Sequence, residues 1–181
     1  MRIYYSAYSK VKCEGDNRCN GYFDCATLAV ATGKPFEDWF PVFIHEACHM
    51  DQWLDESEYW PDTLDDDYTI LERHHAGEDV DDKIVSALNN IILLEADCER
   101  RAVEAIEKFG LPLDPKIYAK HANSYLLFHT KMLTTRSWYS IAPYEIKKIW
   151  SKMPDHILPY EEYKVHNAPN IIDMSIFDCC C

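Results

Sequence analysis

The chain has 181 residues, enough for one domain with a sizeable apolar core. Its net charge of −13 argues against a nucleic-acid backbone as partner, and no run of eighteen apolar residues offers a membrane span. The amino terminus, Met1-Arg-Ile-Tyr-Tyr5, lacks the apolar core of an export signal, so a cytoplasmic protein is expected, with its eight cysteines as thiols or metal ligands rather than disulfides.

Residues 1–35 read as strands. Arg2 to Val11 is rich in Tyr, Ile and Val, Cys13 to Asn20 is a polar loop, and Gly21 to Asp24 and Thr27 to Thr32 form two further short runs closed by Gly33-Lys-Pro35. Together they predict a small antiparallel sheet. Cys13, Cys19 and Cys25 recur every six residues, unlike the Cys-x-x-Cys of a zinc knuckle, and at least two of them are expected to be ordinary thiols.

Residues 36–54 predict a helix. Phe36, Phe40, Phe43, Ala47, Met50 and Leu54 recur at steps of four and three, and Pro41 suits a first turn, so the helix should start or kink near Phe40. Beside that apolar stripe runs His45-Glu-Ala-Cys-His49, the HExxH pattern. Residues four apart stand one turn above each other, so His45 and His49 can direct two imidazoles at one metal ion. Glu46, about 100° round the helix, reaches a metal-activated water instead and is the candidate general base.

Residues 55–82 carry most of the negative charge, with Arg73 as the lone base. They read as a solvated acidic loop, or else as an acidic rim that attracts a basic substrate. Asp65-Asp66-Asp67 lacks the alternating spacing and glycine of a calcium loop, and His74-His75 reads as surface.

From Asp82 to Phe109 the periodicity is that of a long helix: Ile84, Leu88, Ile91, Glu95, Cys98, Ala102, Ile106 and Phe109 share a stripe that Gly110-Leu-Pro112 ends. Glu95 is an acid on that apolar face. A buried unpaired carboxylate costs several kcal/mol by order of magnitude, and a zinc ion held by His45 and His49 would compensate it. Glu99, one turn on, is placed to accept a hydrogen bond from a ligand histidine. A salt bridge from Glu95 to Arg100 or Arg101 is the competing explanation.

His45-Glu-x-x-His49 followed by Glu95-x-x-x-Glu99 resembles the gluzincin metallopeptidases. In that group two histidines and a downstream glutamate bind zinc, and a carboxylate four residues further, often Asp where this chain has Glu99, supports a ligand histidine. The resemblance implies Zn2+ held by His45, His49 and Glu95. The wider wording, Ile44 to Trp53 with Leu94 to Arg101, and also Tyr22-Phe-Asp24 and Arg136-Ser-Trp-Tyr139, is similar to a family of bacteriophage proteins regarded as metallopeptidases, which would place the chain in a host cytoplasm. A metzincin-like set with Asp55 as third ligand is the rival. It needs a glycine three residues after the second histidine, where this chain has helix-prolonging Gln52.

Asp114 with Pro115 starts a further helix to about Leu133, with Tyr118, His121, Ala122, Tyr125, His129 and Met132 on one side. That face reads as an aromatic core, but Tyr125 and His121 are candidates to stabilise an oxyanion. Pro143 to Met153 predicts a shorter helix, completing a helical region over 83–153, and residues 154–181 predict an extended tail. Cys179-Cys180-Cys181 is expected to be inert thiols.

The reading is one α+β domain, a small sheet followed by a mostly helical body, minimal and zincin-like. The expected function is zinc-dependent hydrolysis of a protein or peptide substrate, without nucleic acid or membrane as partner. The alternative is a non-catalytic protein that zinc stabilises for binding or as part of a virion. Access to the fourth coordination position separates the two: a cysteine there closes the site, whereas a peptidase keeps it open to water.

Overall fold

The computed structural model describes residues 1–13 and 18–181. The chain forms β1 (Arg2–Ser6), β2 (Val11–Lys12), β3 (Arg18–Cys19), β4 (Gly21–Phe23) and β5 (Thr27–Ala31). Four long helices follow, α1 (Phe36–Leu54), α2 (Leu64–His75), α3 (Lys83–Phe109) and α4 (Pro115–Thr135). Three single turns, α5 (Lys147–Trp150), α6 (Tyr160–Tyr163) and α7 (Ala168–Ile171), come next, and a 3-10 helix at Met174–Cys180 follows them. This is the α+β arrangement expected. Among the described residues no helix is long and apolar enough to cross a membrane.

The sheet is mixed where an antiparallel one was expected. β5 is central, parallel to β1 (Arg2↔Thr27 to Ser6↔Ala31) and antiparallel to β4 (Tyr22↔Ala29). The reason is a bend at residues 7–10, which divides the predicted first strand. Its second half, β2, turns away to form a separate antiparallel ladder with β3. Leu28, Ala29, Val30 and Ala31 are buried, as a strand covered by neighbours on both sides requires.

The β2–β3 pairing also overturns the expectation of free thiols. It sets Val11 opposite Cys19 and brings the Cα atoms of Cys13 and Cys19 to 6.3 Å, within disulfide reach, and the two are bonded. Cys25 is a free thiol. Glu14 to Asn17 of the expected polar loop lie outside the described residues.

Helix α1 starts at Phe36, with Pro35 before it and Glu37 and Asp38 in its first turn, so Pro41 lies in the second turn and not the first. Phe36 stacks on Phe40 at 4.6 Å between ring centroids, which holds the start of the helix together in spite of that proline.

The expected acidic loop contains α2. Its inward stripe is Leu64, Asp67, Leu71 and His74, at steps of three and four, but two of the four are polar. Each polar member is satisfied. Asp67 accepts from Asn90 Nδ2 at 3.0 Å, and His74 Nε2 donates to the Leu133 carbonyl at 3.2 Å. His74 is therefore a buried residue and not a surface one. Asp65, Asp66 and Asp67 in the first turn, with Arg73, His74 and His75 in the last, complement the helix dipole.

Helix α3 runs through the middle, contacted by α1, α2 and α4. Leu88, Ile91, Ile92, Leu126, Leu127, Phe128 and Met132 form the main core with α2 and the C-terminal turns. A second cluster, Ile44, Cys48, Cys98, Ala102, Ile106 and Tyr118, joins α1 to α3 and α4. Gly110 ends α3 at φ 58°, a left-handed cap suited to glycine.

After α4 the predicted helix over 143–153 reduces to a 3-10 turn at Pro143–Glu145 and to α5. Residues 154–181 are short helical turns and not an extended tail. Tyr163, Phe177 and Cys180 anchor them in the core, whereas Cys179 and Cys181 are exposed.

Candidate metal centre

The centre lies where α1 packs on α3. Helical spacing sets His45 and His49 one turn apart with their rings perpendicular, and their Nε2 atoms are 3.1 Å from each other. From α3, Glu95 Oε2 stands 3.5 Å from each of those nitrogens. Glu95 is 5 % exposed, and its Oε2 accepts no hydrogen bond from any described side chain. Three potential donor atoms therefore form a nearly equilateral triangle of 3.1, 3.5 and 3.5 Å. Ligands held tetrahedrally at about 2.0–2.1 Å from zinc stand about 3.3–3.4 Å apart, so the triangle matches one face of such a site.

Both histidines are held from behind. His45 Nδ1 faces Glu99 Oε1 at 3.1 Å, the role expected for Glu99. His49 Nδ1 faces Gln52 Oε1 at 2.8 Å. With Nδ1 occupied as a donor, Nε2 is the ring atom each histidine would offer a metal, any proton there being released on binding. Gln52 in turn donates through Nε2 to the Leu94 carbonyl at 2.9 Å and to Asp97 Oδ2 at 2.8 Å.

The electrostatics favour a cation here. Burial opposes charge on His45, but the Glu99, Glu95 and Glu46 carboxylates outweigh it and raise its pKa to about 10. Burial likewise opposes charge on Glu95, yet His49 and His45 lower it to about 2. Glu46 is buried, and that burial raises its carboxyl above the usual range. His45 and His49 work against the rise, and Glu95 and Glu99 add to it. Its aliphatic stem rests on β4, where Gly21 leaves no room for a side chain: a Cβ there would lie 2.7 Å from Val42 Cγ1 and 3.1 Å from Glu46 Cγ.

Arg100 and Arg101 do not pair with Glu95. Both bind Asp97, through Arg100 Nη2 at 2.6 Å and Arg101 Nε at 2.8 Å, and Arg101 Nη1 also reaches Asp51 and Asp55 at 2.7 Å. Asp55 is thus held at the end of α1 by an arginine, away from the role of third ligand. Asp97 is fully buried. Burial opposes its charge, but hydrogen bonds from Gln52, Arg100 and Arg101 prevail and hold its carboxyl below the usual range.

A thiol shares the neighbourhood. Donor atoms of His45, His49 and Cys98 lie within 4.8 Å of one another. Cys98 Sγ, however, is 3.6 Å from His45 Nδ1 and donates to the His45 carbonyl at 3.2 Å, on the side of the ring away from Glu95. Burial, with Cys48 and Glu99 adding, pushes this thiol well above its ordinary pKa. The Glu95 set is the better fit, because it uses both Nε2 atoms and leaves the Nδ1 supports in place.

Tyr125 stands edge-on to His45 at 6.3 Å between ring centroids. His121 packs instead on Trp150 at 4.8 Å, and burial lowers its pKa against an opposing Glu99. Two neighbours were not among the site candidates of the sequence. Tyr68 comes from α2, and its hydroxyl is raised by burial and by Glu95 and Glu46. His129 is fully buried with Nδ1 on the Tyr125 carbonyl at 3.1 Å, and it interacts electrostatically with Glu95. His129 already lay on the same helical face as Tyr125, whereas Tyr68 gave no signal in a stretch dominated by acids.

Comparison of the chain with protein-family models, with curated proteins and with solved structures returned no match.

Proposed function

We propose that this chain is a zinc-dependent peptidase. The observation that carries the reading is the triangle of His45 Nε2, His49 Nε2 and Glu95 Oε2, with edges that suit a tetrahedral zinc ion. When bound, zinc would supply a Lewis acid that polarises a carbonyl and brings the pKa of water toward neutrality.

The protein's own groups would do the rest. Glu46, next in sequence to His45 and with a raised pKa, suits a base that takes a proton from water and passes it to the leaving amine. Tyr125 is held protonated, chiefly by burial and then by Glu95, and suits a donor to the scissile carbonyl oxygen. β4 is an edge strand seated against Glu46 through Gly21, which would let an extended peptide pair along the sheet within reach of that carboxylate.

The test is Glu46→Gln. It should bind zinc as the parent does and lose hydrolysis of an unstructured protein such as casein. Parental turnover by this variant would refute the mechanism.

The grouping of His45, His49 and Cys98 favours a second reading, in which zinc is structural and the thiolate closes the site in place of Glu95. X-ray absorption on the zinc-loaded protein separates the two. A sulfur ligand at about 2.3 Å supports closure, and nitrogen and oxygen ligands alone support the peptidase.

A further inference from the structure

The hydrogen bonds below His49 have a fixed direction. The Gln52 amide is buried and touches three polar groups: His49 Nδ1 through Oε1, and the Leu94 carbonyl and Asp97 Oδ2 through Nε2. Two of those partners can only accept. Turning the amide over would set its oxygen against a carbonyl oxygen and a carboxylate at 2.8–2.9 Å, two repulsive contacts in place of two hydrogen bonds. The amide oxygen must therefore face His49, and His49 must carry its proton on Nδ1. Asp97 is itself saturated: Arg101 Nε, Gln52 and, at 3.5 Å, the Ser57 hydroxyl donate to Oδ2, and Arg100 Nη2 and the Tyr160 hydroxyl donate to Oδ1. Nothing in this chain of contacts is free to reverse.

We infer that Gln52 is the positioning residue of His49, transmitting the orientation imposed by the Asp97 carboxylate and the Leu94 carbonyl so that His49 presents Nε2 to a divalent metal. The inference rests on the zinc reading and adds to it a residue three positions beyond the HExxH pattern. Its partner in role is Glu99, but the two differ in kind. Glu99 is a charged acceptor for His45, whereas Gln52 is a neutral connector between His49 and a charge one step further out.

The experiment measures zinc affinity of the full chain by competition with a chelator of known strength, comparing the parent with Gln52→Leu and Gln52→Met, which keep a side chain of similar volume. Losing a support of this type should weaken zinc binding about ten- to hundredfold. Melting temperature is followed with and without zinc. A merely structural role would lower both values together, whereas a positioning role shrinks the gain that zinc confers. In the cobalt(II)-substituted protein the visible bands should shift in the variants.

A parent that binds zinc, with both variants within threefold of it and unchanged cobalt bands, overturns the inference and leaves the metal reading standing. A parent that takes up no zinc removes both. Nitrogen NMR of the zinc-loaded parent needs no variant to fold. It should show a slowly exchanging proton on His49 Nδ1, and metal on Nδ1 or an unprotected proton there would overturn the assignment.

Discussion

Gly21→Ala tests whether the sheet places anything at the centre. A Cβ at this position would lie 2.7 Å from Val42 Cγ1, 3.0 Å from the Ala29 carbonyl oxygen and 3.1 Å from Glu46 Cγ. Carbon atoms in good contact stand about 3.5–4.0 Å apart, so β4 and α1 must separate by about 0.8 Å at Val42. Overpacking of this size costs about 1–3 kcal/mol. The candidate metal donors should be spared, because the three atoms the added Cβ meets first belong to Val42, Ala29 and Glu46, so that β4 yields and the Glu46 side chain is pushed aside. Expected, then, are a loss of about 1–3 kcal/mol in urea unfolding and zinc affinity within threefold of the parent. Turnover should fall by about a hundredfold, the scale of a misplacement approaching 1 Å. Unchanged stability would show that β4 does not press on α1. Full activity despite the lost stability would refute a role for that contact in placing Glu46.

The remaining predictions concern the proposed ligand Glu95 and the buried histidine near it. Glu95→Gln should weaken zinc binding by about two orders of magnitude, since about 10–16 kcal/mol shared among four ligands is about 2.5–4 kcal/mol each; competition titration checks this, and a loss under tenfold would remove Glu95 from the ligand set. His129 has its pKa lowered by burial from an ordinary 6.5. Its contribution to stability is thus complete above pH 6.5 and is lost as pH falls through the lower folded value, at up to about 1.4 kcal/mol per pH unit. Urea unfolding between pH 7 and 5 should accordingly be less acid-sensitive in His129→Phe than in the parent, and parallel profiles would refute a neutral buried His129.

The parts of the molecule legible in the sequence are those in which one period dominates. The HExxH helix, the long helix carrying Glu95 and Glu99, and the Asp114–Pro115 start of α4 all follow from spacing and caps, and the structure brings His45, His49, Glu95 and Glu99 together. Helix α2 stayed hidden because Asp67 and His74 occupy inward positions, so the stripe that defines it is half polar. The parallel pairing of β1 with β5 and the Cys13–Cys19 bond both depend on one bend in the backbone, and no local composition announces that bend. Gln52 was visible as a residue that prolongs α1. Its work on His49 depends on Asp97, 45 residues later, and was beyond any local pattern. The competing salt bridge from Glu95 to Arg100 or Arg101 does not form, because both arginines bind the neighbouring Asp97 on the other side of α3.

Tyr160, in the short turn α6, reaches back to Asp97 at 3.1 Å. A growing polypeptide exposes α1 to α4 before that tyrosine has left the ribosome, since domains acquire structure from the amino end onward. The helices bearing His45, His49 and Glu95 can therefore meet early, while the last brace beneath His49 arrives only after α6 has docked.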